Sequence, residues 1–143
     1  MARYTTTIPS SLSPATAFAL LADFSSAASW DPGVESARRL DEGPVRVGSR
    51  VALVARFGRR SVPLTYEVTE LVEGERVVHA AEARLYRSRD TITFAPHGDG
   101  ALVTYDARLE GRGGFALAEP LLALALRRIG DRARAGLERF VNP

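Results

Sequence analysis

Residues 50–82 read RVALVARFGRRSVPLTYEVTELVEGERVVHAAE, and their alternation decides the fold. Every second position from Val51 to Phe57, and again from Val62 to Val68, is apolar or aromatic, while Arg56, Thr65 and Glu67 fall between them. Successive side chains of a strand point to opposite faces, so the pattern predicts strands with one buried and one wet surface. The interruptions at 58–60 and 73–75 contain Gly58 and Gly74, and gaps this short join neighbouring strands as hairpins.

Pairing the strands across these gaps tests the reading. Phe57 against Val62 sets Ala55 opposite Leu64, Leu53 opposite Tyr66 and Val51 opposite Val68, all on one face. Val72 against Val77 then puts Glu70 opposite His79 and Val68 opposite Ala81. The same face continues through Ala81 with Asp90, His79 with Ile92, Phe94 with Val103 and Ile92 with Tyr105. Thr65, Glu67, Thr69, Glu82, Thr91, Thr93, Thr104, Asp106 and Arg108 gather on the other face, the composition of a solvated sheet surface. Leaving the first face bare would forfeit about 25 cal/mol for each Å² of apolar area, so something long and apolar must cover it.

The last segment supplies the cover. Beyond the glycine-rich residues 111–114, Ala118, Leu122, Leu126, Ile129, Ala133, Leu137 and Phe140 recur at three- and four-residue steps, which predicts a helix with one apolar stripe. Its charged residues fall mostly on other faces with opposite signs three or four apart, and Pro120 is expected to bend its start. At the other end, residues 3–8 read as a Thr-rich strand. Ser13-Pro14 places an N-cap and an N1 proline before Ala17, Phe18, Leu20, Leu21 and Phe24, and a second helical turn follows over 25–29. Trp30-Asp31-Pro32-Gly33 ends it. Six strands then fill residues 34–109, broken at 41–47, 58–60, 73–75, 84–87 and 96–100. The whole is an α+β chain whose 143 residues fit one domain, 1–143.

Composition removes several chemistries. All 19 basic residues are Arg, there is no Lys and no Cys, and the only histidines are His79 and His97. Schiff-base and thiolate catalysis, disulfides and a three-His zinc centre are therefore excluded, and neither metal nor cofactor is expected. The net charge of +2 comes from interspersed charges without a basic stripe, which argues against nucleic acid as a partner. No apolar run approaches the ~18 residues of a membrane span, so no integral membrane role is expected. The first residues lack the charged start and apolar run of a secretion signal, and a cytoplasmic location is the default expectation.

Ser13-Pro14-Ala15 with Phe18, Trp30-Asp31-Pro32-Gly33-Val34, Tyr66-Glu67-Val68-Thr69-Glu70-Leu71 and Asp99-Gly100, set in this order of elements, resemble the START and polyketide-cyclase-like (SRPBCC) superfamily across essentially the whole chain. The resemblance implies a helix-grip fold: a curved seven-stranded antiparallel sheet wrapped around a long C-terminal helix, with two short helices after the first strand. It also implies a tunnel for hydrophobic ligands such as lipids, sterols or aromatic polyketides. The superfamily has no universal catalytic motif, so no catalytic residue is carried over by position.

The concave face holds few polar groups among many apolar ones, the ratio of a binding cavity. The expected lining is Trp30, Leu53, Ala55, Phe57, Leu64, Tyr66, Val68, His79, Ala81, Asp90, Ile92, Phe94 and Tyr105, with Leu122, Leu126 and Ile129 from the helix. His79 is the candidate acid/base group, because imidazole titrates near neutrality, with Tyr66 or Tyr105 to orient a phenol or enol. The plainer alternative is a half-buried histidine paired to Glu70, with both tyrosines filling the core. Glu70 and Asp90 are expected toward strand ends that water reaches. Trp30 either covers the cavity mouth or anchors the second helix, His97 is a loop residue, and residues 111–114 form a flexible joint, since the Lys-Ser/Thr ending of a phosphate loop is missing. The first functional expectation is binding of a lipid-like or aromatic polyketide-like molecule without turnover. The alternatives are a cofactor-independent cyclase, dehydratase or isomerase using His79 with Tyr66 and Tyr105, and a protein-interaction module of co-chaperone type. Both a monomer and a homodimer are compatible with this reading.

Overall fold

The computed structural model describes residues 1–143. Seven strands form a single antiparallel sheet: β1 (Ala2–Ser10), β2 (Val34–Arg39), β3 (Arg50–Phe57), β4 (Arg60–Val72), β5 (Arg76–Glu82), β6 (Tyr86–His97) and β7 (Gly100–Gly111). Their order is β1-β7-β6-β5-β4-β3-β2, so every neighbouring pair is a hairpin or short connection except β1 with β7. The chain passes from one sheet edge to the other through α1 (Pro14–Ala22), a 3₁₀ turn (Phe24–Ser26) and α2 (Ala27–Trp30). After β7 a second 3₁₀ turn (Gly113–Ala118) leads into α3 (Glu119–Phe140). This is the expected α+β helix-grip arrangement, a curled seven-stranded sheet around a long last helix.

Local chemistry sets the boundaries. Ser13 caps α1, its hydroxyl accepting from the Thr16 amide at 3.2 Å, and Pro14 occupies the first turn where its missing N–H costs nothing. Pro120 plays the same part in α3, so it starts the helix instead of bending it. Gly58 has φ +62°, which allows Gly58 and Arg59 alone to turn the chain from β3 to β4.

That tight turn corrects the expected register. Phe57 pairs with Arg60, Leu53 with Leu64 and Val51 with Tyr66, two residues away from the expected partners. The β5–β6 hairpin is displaced likewise, with His79 opposite Asp90 and Ala81 opposite Ser88. A shift by two preserves the face of every side chain, which is why the inward set survives. The β6–β7 pairing matches expectation, Phe94 with Val103 and Ile92 with Tyr105.

One displacement is odd, and it changes a face. Between Val68 and Glu70 the register of β4 slips against β5, so that Val68 pairs with His79, Glu70 with Val78 and Leu71 with Val77. This bulge turns Leu71 toward the core and Glu70 outward, where Arg76 Nε lies 2.9 Å from its carboxylate, an ion pair off the hydrogen-bond line. The expected Glu70–His79 pair therefore does not exist.

The strand β1 and the helix α3 run side by side in the same direction. About 30 Å of strand matches about 33 Å of helix. The Met1 ammonium pairs with Glu119 at one end, while at the other the Ser10 hydroxyl donates to the Val141 carbonyl and the Asn142 amide to the Pro9 carbonyl at 3.0 Å. Two glycines seat the helix between these ties. A Cβ on Gly136 would fall on the Trp30 carbonyl oxygen, and one on Gly130 would stand 2.6 Å from the Tyr4 ring. The C-terminal half of α3 is thus pressed home, with Leu137 buried, whereas Leu121 and Leu124 in its first half are exposed. The solid core lies beneath α1, where Phe18 meets Phe94 edge-on at 5.5 Å and Ile8, Leu21, Val77, Ile92 and Val103 are fully enclosed.

Candidate ligand cavity

Where α3 lifts away from the sheet, a cavity of about 160 Å³ remains, and 19 of its 28 lining residues are hydrophobic. Leu53, Ala55 and Phe57 of β3, Leu64 of β4, and Leu122, Leu126 and Ile129 of α3 supply the apolar wall. Trp30 closes one side. It is nearly buried, crosses the Tyr105 ring edge-on at 5.7 Å, and its backbone receives Gly136, so it both lines the cavity and anchors α2 to α3. The space admits roughly ten water-sized groups, and hence a molecule of about ten non-hydrogen atoms.

A polar line crosses the floor. Tyr66 on β4 reaches over Ala81 of β5, and its hydroxyl meets the Ser88 hydroxyl of β6 at 2.8 Å. Two residues along β6, Asp90 accepts a 2.6 Å hydrogen bond from the Tyr105 hydroxyl of β7. Burial pushes the Asp90 carboxyl up to about 7, against the opposing effect of the Tyr105 hydrogen bond. Burial and the neighbouring Asp90 carboxyl hold both the Tyr66 and the Tyr105 phenol above the ordinary tyrosine range. Asp31, in the loop after α2, also lines the cavity; burial raises its carboxyl, opposed by a 2.8 Å hydrogen bond from the Gly33 amide. Arg56, Arg108 and Arg134 line the cavity too, but their side chains are about half exposed and pair with Glu35, Asp106 and Glu138.

The expected lining residues divide between cavity and core. Trp30, Leu53, Ala55, Phe57, Leu64, Tyr66, Asp90, Tyr105, Leu122, Leu126 and Ile129 stand on the cavity wall. Val68, His79, Ala81, Ile92 and Phe94 share their inward face but belong to the packed core. His79 is 1% exposed, stacks on Phe24 at 4.2 Å between ring centres, and its Nε2–H donates to the Leu21 carbonyl at 3.2 Å. Burial, against that hydrogen bond, depresses its pKa to about 4, so the ring is neutral. Asp90 is the converse. Expected near water at a strand end, it is instead enclosed, because β6 begins at Tyr86 and Asp90 lies well inside the sheet.

Tyr86, Ser88 and Asp31 also face the cavity, and sequence reasoning misses all three. For the first two the signal is present: counting back in steps of two from Phe94 through Ile92 and Asp90 reaches Ser88 and Tyr86, but residues 84–87 read as a break. Asp31 carries only a stop signal for the helix before it.

Residues 1–142 match the family described as polyketide cyclase / dehydrase and lipid transport. No curated protein matches the sequence. Among solved structures, a START superfamily protein from Mycobacterium smegmatis is 15% identical with a TM-score of 0.79, the alignment covering 99% of this chain and 97% of that one. A protein from Thermus thermophilus is 21% identical at a TM-score of 0.77, covering 98% and 95%. One from Chromobacterium violaceum is 22% identical at 0.67, covering 99% and 97%. At these identities the likeness is one of fold. No helix is long and apolar enough to cross a membrane. Family and fold together support a hydrophobic ligand-binding role, and the chain belongs to the polyketide cyclase / dehydrase and lipid transport family.

Proposed function

We propose that the chain holds one small, largely apolar molecule between the sheet and α3, with its polar end on the line from Tyr66 to Tyr105. The observation that carries this reading is the cavity itself, an apolar chamber with a few convergent polar groups on one wall. Native mass spectrometry of freshly purified protein is expected to show a retained compound or uptake from a panel of short lipids and aromatics. Ala107 lines the cavity, and Ala107→Phe fills it. That variant should keep its fold and lose uptake; unchanged uptake would place the ligand elsewhere.

A second reading, turnover, is favoured by the buried Asp90 carboxyl with its pKa of about 7, hydrogen-bonded to a phenol inside the cavity. Such a pair is suited to moving a proton at neutral pH in a cofactor-independent cyclisation, dehydration or isomerisation. Asp90 would exchange the proton and Tyr105 would orient it, in place of His79. Under this reading Asp90→Asn and Tyr105→Phe lose turnover at least a hundredfold while ligand uptake persists, and the wild-type rate titrates near pH 7.

A further inference from the structure

We propose that the cavity's ligand is an amine, an apolar body of about ten non-hydrogen atoms with a protonated primary amino group seated at Asp90. This rests on the cavity reading above and names the ligand's chemical class. The hydrogen-bond inventory of the floor supports it. Tyr105 gives its only proton to Asp90 Oδ2, and the Tyr66 and Ser88 hydroxyls are joined to each other. Asp31 Oδ1 is occupied by the Gly33 amide. One of the Tyr66 and Ser88 protons joins the two hydroxyls, and Ser88 also hydrogen-bonds the Asp90 carboxyl, while Asp31 Oδ2 accepts from no protein group, so the two carboxyls offer acceptors to an incoming ligand.

Charge points the same way. Neither Asp31 nor Asp90 takes part in any of the ten ion pairs of the protein. The arginines on the cavity wall are engaged by other carboxylates, and the chain has no lysine to reach inside. A buried carboxylate without a cation is costly, and an ammonium entering with the ligand removes that cost while offering three donors where an alcohol offers one. A carboxylate ligand would meet like charge from Asp31 and Asp90, with no free cation on the wall to offset it.

The groups facing Asp90 are Tyr105 and, farther along β7, Asp106; Tyr66 of β4; neutral His79 of β5; Ser88 of its own strand; and Asp31 after α2. From α3 the charged residue on the wall is Arg134, whose guanidinium is held by Thr6 and Glu138. None of these is a cation paired with Asp90; its protein partners are the Tyr105 and Ser88 hydroxyls. Ionisation of Asp90 is then coupled to binding, because the carboxylate form takes the cation.

Three probes of matched size separate the alternatives by isothermal titration: phenethylamine, 2-phenylethanol and phenylacetate. At pH 8 phenethylamine should bind at least tenfold more tightly than the alcohol, and phenylacetate not at all. At pH 6, below the value of about 7 at which Asp90 takes a proton, the amine should weaken about tenfold and the alcohol stay constant. Asp90→Asn should erase the amine's advantage with the circular dichroism unchanged, and Asp31→Asn should reduce it several-fold. If the alcohol or the acid binds as tightly as the amine at pH 8, or the amine's affinity is flat from pH 6 to 8, the amine assignment is wrong while the cavity reading stands. If none of the three binds, both are wrong.

Discussion

His79 and Asp90 are cross-strand partners whose titrations oppose each other. The imidazole has a folded pKa of about 4 against an ordinary 6.5. Below pH 6.5 the unfolded chain accepts a proton that the folded one refuses, so this residue removes stability as pH falls from 6.5 to 4. The carboxyl has a folded pKa of about 7 against 3.8, so between those values the folded chain holds the proton, and stability rises as pH falls. Each effect amounts to about 3–4 kcal/mol, and they largely cancel. Urea unfolding of the wild type should thus vary little between pH 4 and 7. Asp90→Asn should expose a loss of about 3 kcal/mol on acidification, and His79→Gln a gain of similar size. Parallel profiles in all three proteins would show that neither group titrates as its burial demands. Residue types and spacing reveal both as inward-facing. They do not reveal the enclosure, because exposure depends on where a strand begins and what lies above it.

At the level of elements, α3 is positioned by what it lacks. Gly136→Ala should destabilise the protein by about 1–3 kcal/mol in urea, despite alanine's better helix propensity, because the obstacle is the Trp30 backbone. Gly130→Ala should also destabilise, since its Cβ would meet the Tyr4 ring at Cγ, which turning the ring does not move. An unchanged midpoint for Gly136→Ala would mean that α3 is not seated on α2. The sequence's periodicity locates this helix and its stripe but says nothing of these two contacts, for a glycine in a helix reads only as a weak spot. The bulge in β4 is hidden for a related reason. Alternation alone puts Glu70 on the inward face with Val68 and Leu71 on the outer one, and the bulge reverses this, burying the leucine and leaving the carboxylate with Arg76.

For the whole molecule, the apolar face, its wet reverse and the long covering helix are legible because they follow from period two and period three-to-four hydrophobicity. The volume left between them is not, since it depends on how far the first half of α3 stands off. Occupying that volume should stabilise the fold. A ligand present at a hundred times its dissociation constant adds about 2.7 kcal/mol, raising the melting temperature of a chain this size by about 5–10 °C. Ala107→Phe should melt no lower than wild type and fail to respond to ligand; a lower melting point without ligand would mean that the site has no room for the ring.

Ala81 stands between Tyr66 and Ser88 in its row, and the Tyr66 arm passes above its small side chain to find Ser88. It works as a shim. Its methyl group is sealed away from the chamber, yet its height decides whether the two hydroxyls join. A single bulkier aliphatic there would part them, freeing a phenol and an alcohol to face a guest, so the tastes of this pocket can be retuned from beneath its floor.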